Sequence, residues 1–273
     1  MESTNKNIYF HVGISKTGST FLQKRVFPKL SKITYIPTNK YYRIHEEIKN
    51  CDSKNILISR EFDRQFEREV TLFSSRCPTA TPIIVLRKHE EYLASQYKRF
   101  IKNGYKGGAE DFFDLENDKG FFKTIHLSFS YQIKVLKDKF EKDPIVLFHD
   151  ELRSSPREFV KDFCSLTFSD IDLEKVNFNK KHISYSEKQL KTIKAVSKYF
   201  NLKKRVVFNN PFFNLFWRLY QAFFRYGILY LSLLVPSFVY SKKPLIDPAY
   251  LKKVGLHFKN DWEKCLKHKN RKT

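Results

Sequence analysis

The chain has 273 residues, of which 41% are hydrophobic and 16% are aromatic. This amount of apolar material excludes a disordered linker and predicts a folded core. A formal net charge of +22 concentrates anions around the protein, so it favours an anionic nucleotide, an acidic polymer, an anionic membrane surface or nucleic acid as a partner.

The cysteines and the N-terminus bear on the compartment. The four cysteines are far apart and match no metal-binding spacing: Cys51, Cys77, Cys164 and Cys265. We therefore expect reduced thiols, no disulfide framework and no metal site. The first ten residues, MESTNKNIYF, contain no apolar signal-peptide run, which predicts a cytoplasmic protein.

Short apolar runs alternate with helical patterns along the chain. The runs predict strands at residues 8–12, 56–59, 83–86 and 145–148, and helices are expected at about 18–30, 89–102 and 156–166. This alternation predicts a three-layer α/β fold with a mostly parallel sheet covered on both faces. Ligands of such folds bind beyond the carboxyl ends of the strands.

Two regions do not fit this alternation. Residues 103–120 contain four glycines and mixed charges, which predicts a mobile loop or lid. Residues 211–240 are dense in aromatic residues, but their uncharged run is interrupted by Pro236 and is shorter than the ~20 residues that span a bilayer. Two interpretations stay open for them, a buried helix pair over the core or an in-plane membrane helix. We expect a core domain over 1–205 and a helical, aromatic-rich extension over 206–273, packed on the core or on a membrane surface.

The most informative segment is YFHVGISKTGSTFLQ, residues 9–23, in which a strand leads through a glycine turn into a helix. Glycine lets the backbone approach an anion, and amides at the start of a helix point toward phosphate oxygens. Residues 13–18 nearly match the GxxxxGK nucleotide-binding loop, but Ser19 stands where that loop has its lysine. The lysine lies in the middle of the loop instead, at Lys16.

The segment HVGISKTGST resembles the 5′-phosphosulfate-binding loop of the sulfotransferases that use 3′-phosphoadenosine-5′-phosphosulfate (PAPS). The longer pattern HVGxxKTGSTxLQ is most similar to bacterial members that sulfate polysaccharides and other glycans. The resemblance implies a phosphosulfate-binding loop in which Lys16 stabilises the leaving 3′,5′-adenosine bisphosphate (PAP). It implies that the cofactor is bound by Lys16, Thr17, Gly18, Ser19 and Thr20.

A second motif follows the third predicted strand. Arg87 comes directly after residues 83–86, and Ser95 lies eight residues later, about two turns into the next helix. In the family this Arg-x7-Ser arrangement binds the 3′-phosphate, which an arginine fork can hold with two parallel hydrogen bonds. The family also has a Tyr-Glu pair after a later strand, and His149 and Asp150 replace it here.

A sulfuryl transfer also needs a base for the acceptor. The reaction resembles phosphoryl transfer, with in-line attack and charge building on the leaving oxygen, so positioning and electrostatics dominate catalysis. Glu61, in ISREF, is the favoured general base because heparan-type sulfotransferases carry their catalytic glutamate after this strand. His45 is the alternative, since bacterial members often have a histidine there. We interpret His11 and His89 as packing residues or phosphate neighbours.

Together these patterns predict a PAPS-dependent sulfotransferase that needs no metal and has a glycan, polysaccharide or glycolipid as acceptor. Peripheral membrane contact through residues 211–240 is compatible with this function. Two other classes remain open. A P-loop kinase or NTPase would use Asp150 as a magnesium-binding acid, but it requires lysine where Ser19 stands. A non-catalytic basic protein that binds membrane or nucleic acid would not explain two cofactor motifs, and no nucleic-acid-binding module is present to suggest such a partner.

Overall fold

Five parallel strands form one sheet. The structure, a computed structural model, describes residues 6–179, 185–200, 202 and 208–269. The strands are β1 Asn7–Ile14, β2 Thr34–Ile36, β3 Asn55–Phe62, β4 Thr81–Leu86 and β5 Ile145–Phe148. Their order in the sheet is β2-β3-β1-β4-β5. The four predicted strands are confirmed, and β2 escaped prediction because its three residues, TYI, are too few to show a pattern.

Helices connect and cover the strands. In chain order they are α1 Ser19–Phe21, α2 Ile44–Lys49, α3 Phe66–Ser74, α4 His89–Lys102, α5 Ala109–Phe112, α6 Thr124–Leu127, α7 Phe129–Lys139, α8 His149–Ser154, α9 Pro156–Leu166, α10 Glu187–Tyr199, α11 Pro211–Leu231, α12 Pro248–His257 and α13 Lys259–Lys267. The helices expected at 89–102 and 156–166 are present with those bounds. The one expected at 18–30 changes geometry along its length, from α1 to a π-helical segment Leu22–Val26 and a 3-10 turn Phe27–Lys29.

Both faces of the sheet are covered, which confirms the three-layer α/β fold. On one face Tyr9, Leu57 and Val85 pack with Val26 and with Phe163 of α9. On the other face Phe10 stacks on Phe73 of α3 with ring centroids 3.8 Å apart. Phe148 meets Trp262 of α13 on the same face as Phe10, because alternate residues of a strand point to opposite faces.

The strand order reverses at β1, which makes the carboxyl end of this strand a topological switch point. After β1 the chain builds β2 and β3 on one side of it, then crosses to build β4 and β5 on the other side. In open parallel sheets ligands bind where the order reverses in this way. The loop after β1 and the residues after β4 therefore lie at the expected binding edge.

The chain forms two compact units. The first comprises Met1–Tyr92, Ile125–Asn179 and His257–Thr273 and contains the whole sheet, and the second comprises Leu93–Thr124 and Lys180–Leu256. This division differs from the expected boundary after residue 205, because α13 returns to the first unit. There Asp261 accepts hydrogen bonds of 3.0 Å from the backbone N–H of Phe129 and from His89 Nε2.

Within the second unit, the aromatic residues of 103–120 are packed, which does not support the prediction of a mobile lid. Phe112 and Phe113 are completely buried. The ring of Tyr97 lies 5.4 Å from that of Phe112. Asp114 accepts hydrogen bonds from the backbone N–H groups of residues 116 and 117, so the polar turn is satisfied locally. The glycines serve tight turns around an aromatic cluster.

The aromatic segment 211–240 forms one long helix, α11, followed by short turns. All 21 residues of α11 are described, and Leu229 is the one that is buried. The interpretation as a buried helix pair is therefore wrong. Across the described residues, the structure has no helix with the length and apolar character needed to cross a membrane.

Candidate anion-binding site

The loop after β1 has an unusual backbone. Lys16 and Gly18 both have left-handed conformations, with φ of 75° and 96°. Such a conformation costs a lysine on the order of 1 kcal/mol, whereas glycine adopts it freely. A Cβ atom on Gly18 would also collide with Leu152 Cδ2 of α8. The loop therefore requires glycine at position 18 for two independent reasons.

The hydroxyl groups of the loop stabilise its shape. Thr17 Oγ1 donates a 2.6 Å hydrogen bond to the Ile14 carbonyl, and Ser19 Oγ donates to the same oxygen at 3.3 Å. Both side chains are buried, whereas Lys16 and Thr20 are exposed. The sequence pattern suggested all of these groups as ligand donors. In the structure Thr17 and Ser19 close the loop, and Lys16 and Thr20 face solvent.

Arg87 lies against this loop, as the order of the strands predicts. Its Nη1 donates a 3.2 Å hydrogen bond to the Lys16 carbonyl, and Nε and Nη2 donate to Glu91 Oε2 at 3.2 and 3.1 Å. Arg153 Nη1 donates to the same carboxylate oxygen at 3.2 Å. Burial opposes ionisation of Glu91, but the hydrogen bond and charge of Arg87, with the charge of Arg153, outweigh it and lower the pKa of Glu91. Glu91 thus fixes two guanidinium groups at the loop.

The end of β5 contributes His149 and Asp150. His149 lies beside Gly18, since its Cδ2 would be 3.7 Å from a Cβ atom built there. Burial, assisted by the charge of Arg87, lowers the pKa of His149 to about 4, so the ring is neutral near pH 7. The Asp150 carboxylate lies 3.6 Å from Lys88 Nζ and from Arg153 Nη2.

The charges around the loop favour an anion. Glu91, His149 and Asp150 place one potential ligand atom each within 4.8 Å of one another, which by itself resembles a cation site. Both carboxylates, however, are already within 4.0 Å of arginine or lysine nitrogens. Arg87, Lys88 and Arg153 pair with the two carboxylates, which leaves one positive charge in excess. This donor set suits a phosphate or sulfate group better than a metal ion.

Glu61 lies at the edge of the same loop. In the parallel pairing of β1 with β3, Glu61 is opposite Gly13. Ser15 Oγ donates a 3.2 Å hydrogen bond to Glu61 Oε2, and the residue is partly exposed. The structure therefore brings the favoured base and the lysine loop together.

The structure does not bring His45 to this loop. His45 is on α2, and burial together with the charge of Arg76 lowers its pKa. Arg76 lies between α3 and β4, near the amino end of β4. The last turn of α2 is contacted by Lys6, which precedes β1 and donates to the Ile48 carbonyl at 2.8 Å. His45 is thus on a helix that runs toward the amino edge of the sheet, opposite the loop.

The other residues of interest have clear local environments. His11 is fully buried, its Nδ1 is 2.7 Å from Ser59 Oγ, and burial lowers its pKa to about 3. His89 lies between the rings of Phe129 and Phe258. These contacts agree with interpreting both histidines as packing residues. Ser95 is half-buried, four residues beyond Glu91 on α4, in the part of that helix that belongs to the second unit.

The fold and the loop define an α/β protein with a glycine-containing loop at the switch point of a parallel sheet. The sequence matches no protein-family model and no curated protein. Among solved structures, the chain is similar to the crystal structure of a sulfotransferase from Alicyclobacillus acidocaldarius, with a TM-score of 0.50 and 13% sequence identity. The match covers 70% of this chain and 92% of that one. At this identity the likeness shows the fold: the chain has the α/β fold of that sulfotransferase.

Proposed function

We propose that the protein is a sulfotransferase that moves a sulfuryl group from PAPS to a hydroxyl or amine of a glycan, polysaccharide or glycolipid. The observation that carries the proposal is the contact between Arg87 Nη1 and the Lys16 carbonyl. It joins the two motifs, 71 residues apart in the chain, at one anion-binding edge. The fold shared with a solved sulfotransferase supports the same assignment.

The residues of the loop fit the phosphosulfate end of this nucleotide. Gly18 permits the left-handed turn that forms the loop, and Lys16 supplies an exposed basic side chain in the middle of it. PAPS supplies the activated sulfuryl group. Lys16 stabilises the negative charge that develops on the leaving oxygen, an electrostatic role that needs no proton transfer. Arg87 takes the 3′-phosphate, with Ser95 as the predicted second donor.

Glu61 acts as the general base in this proposal. Its carboxylate is held by Ser15 at the rim of the loop, and so it lies near the place where an acceptor must approach for in-line attack. The hydroxyls of Thr17 and Ser19 keep the loop in shape rather than moving protons, since they donate to the Ile14 carbonyl.

A binding and transfer experiment tests the proposal. We expect PAP to raise the melting temperature of the protein more than Mg-ATP does, and labelled PAPS to transfer its sulfuryl group to a capsular glycan or glycolipid. Lys16→Ala should lower kcat by about 10²–10³-fold, the scale for one electrostatic donor. Arg87→Ala should weaken PAP binding by about 10–100-fold, as for a lost charge-assisted hydrogen bond.

Matched controls come from exposed basic residues elsewhere on the first unit. Two such residues are Lys161, which pairs with Glu158, and Arg68, which pairs with Glu69. Replacing either residue with alanine should leave PAP binding and turnover unchanged. Stabilisation by Mg-ATP with none by PAP would favour a P-loop kinase or NTPase instead. Transfer to phenols alone would contradict the glycan acceptor while leaving sulfuryl transfer intact.

A further inference from the structure

One face of α11 is apolar and exposed along its whole length. Positions that recur every three or four residues share one face of a helix. On α11 a set with this spacing contains aromatic residues and one leucine, each between 42% and 81% exposed: Phe212, Phe216, Leu219, Phe223, Tyr226 and Tyr230. We call this set the α11 stripe. Exposed apolar surface of this continuity usually marks a binding surface.

Another side of α11 is held within the second unit. Gln189 Nε2 of α10 donates a 3.1 Å hydrogen bond to the Leu229 carbonyl. Arg225 Nη2 donates to the Leu202 carbonyl at 3.3 Å, and Arg225 Nη1 donates to Asn103 Oδ1 at 3.4 Å. These bonds fix the rotation of the helix about its axis and leave the α11 stripe exposed. Tyr226, the least exposed member of the stripe, is also hydrogen-bonded to Tyr185 of the same unit.

The apolar surface continues beyond the helix. In the turns that follow α11, Leu234, Phe238 and Val239 are 79%, 87% and 61% exposed. None of the three carries a charge that would explain its exposure as ordinary solvation. The surface therefore extends from the first turn of α11 to residue 239.

The charge of this region decides which partner fits it. Residues 188–246 contain eleven lysines and arginines and no aspartate or glutamate. Arg218, Lys242 and Lys243 are exposed on α11 and just after the turns. A second copy of the chain would bring the same positive charge, on top of a net +22, against this region. An anionic lipid surface offers both an apolar layer and the opposite charge.

We propose that the α11 stripe docks in the plane of an anionic lipid membrane, with its aromatic side chains at the boundary between headgroups and acyl chains. The neighbouring lysines and arginines contact the headgroups, and Tyr226 and Tyr230 have the amphipathic character that suits this depth. The inference concerns an interaction surface in the second unit, and it stands whether or not the sulfotransferase assignment holds.

Vesicle flotation with the full-length protein tests the proposal. The wild-type protein should float with vesicles of phosphatidylglycerol mixed with phosphatidylcholine and much less with phosphatidylcholine alone, and high salt should weaken the binding. The double variant Phe216→Ser/Phe223→Ser should lower partitioning by at least about tenfold, because two aromatic side chains no longer leave water. Lys242→Gln/Lys243→Gln should reduce binding to the anionic vesicles only.

The control is Phe168→Ser, which removes a 75% exposed phenylalanine from the first unit and should bind vesicles like the wild type. Thermal melts show whether each variant is folded. We expect all of them to fold, because the substituted positions are exposed. Unchanged vesicle binding by the double phenylalanine variant would overturn the proposal. So would a wild-type protein that ignores anionic vesicles, or one that sediments as a dimer that the double variant dissociates.

Discussion

Two C-terminal helices, α13 and α11, show that apolar composition and burial are separate properties. Five of the nine residues of α13 are charged, yet it is tied to the sheet-containing unit through Asp261 and the buried Cys265. By comparison, α11 has two charged residues among 21, yet it also buries a single residue, Leu229, as α13 buries Cys265 alone. Polar contacts from His89, Phe129 and Ser130 to Asp261 attach α13, whereas apolar composition alone does not bury α11. Substitutions on α13 and on α11 test this comparison.

The largest effect is expected from Asp261→Ala. The carboxylate accepts hydrogen bonds from His89 and from the backbone N–H groups of Phe129 and Ser130. Its removal should lower the free energy of unfolding by about 3 kcal/mol, the scale for deleting one partner of a buried, hydrogen-bonded pair. Urea unfolding measures the change. Glu263→Ala, on the exposed side of the same helix, should change stability by less than about 0.5 kcal/mol.

Asp261 also makes the stability of the protein depend on pH. Burial alone would raise the pKa of Asp261, but hydrogen bonds from His89, Ser130 and Ser128 lower it to about 2. A carboxyl whose folded pKa is below its unfolded value stabilises the protein above about pH 4, and this stability is lost as the pH falls toward 2. Asp261→Asn should therefore show a shallower loss of stability between these pH values. An equal slope in both proteins would mean that Asp261 does not hold α13.

A smaller loss is expected from Gly18→Ala at the loop. Alanine would have to adopt φ of 96° and would collide with Leu152, so we expect a cost of about 2 kcal/mol in unfolding free energy. PAP binding should weaken as well, because the loop must shift. Calorimetric melting with and without PAP measures both changes. An alanine variant with unchanged melting temperature and PAP affinity would show that the loop is less constrained than its contacts indicate.

Local patterns predicted much of the first unit. The four apolar runs became β1, β3, β4 and β5, and the loop and Arg87 met at one edge because parallel strands end together. Glu91, the partner of Arg87, lay on the predicted helix four residues after it, but the link from Glu91 to Arg153 spans 62 residues and has no local signal. The sequence also did not show the roles of Thr17 and Ser19, because a hydroxyl group can donate to a ligand or to a backbone carbonyl such as that of Ile14.

The second unit was predicted less well because tertiary contacts decide its structure. The glycines of 103–120 suggested mobility, whereas the buried Phe112 and Phe113 determine the packing there. Similarly, the aromatic density of α11 is compatible with a core helix and with a surface helix. Tertiary contacts, such as the hydrogen bonds of Gln189 and Arg225 and the ring contact between Phe200 and Phe224, show which side of α11 meets the protein.

The smallest effect, and the sharpest contrast with Gly18, is expected from Gly227→Ala on α11. A Cβ atom at Gly227 would have no atom within 4 Å, so alanine adds no collision there. Alanine is favoured over glycine in an exposed helix interior by about 1 kcal/mol, and the variant should gain up to this amount in stability. Urea unfolding should give a lower unfolding free energy for Gly18→Ala than for the wild type and a higher one for Gly227→Ala. A destabilised Gly227→Ala variant would mean that α11 is packed against something at this position, and the α11 stripe would then be a protein interface rather than a surface open to lipid.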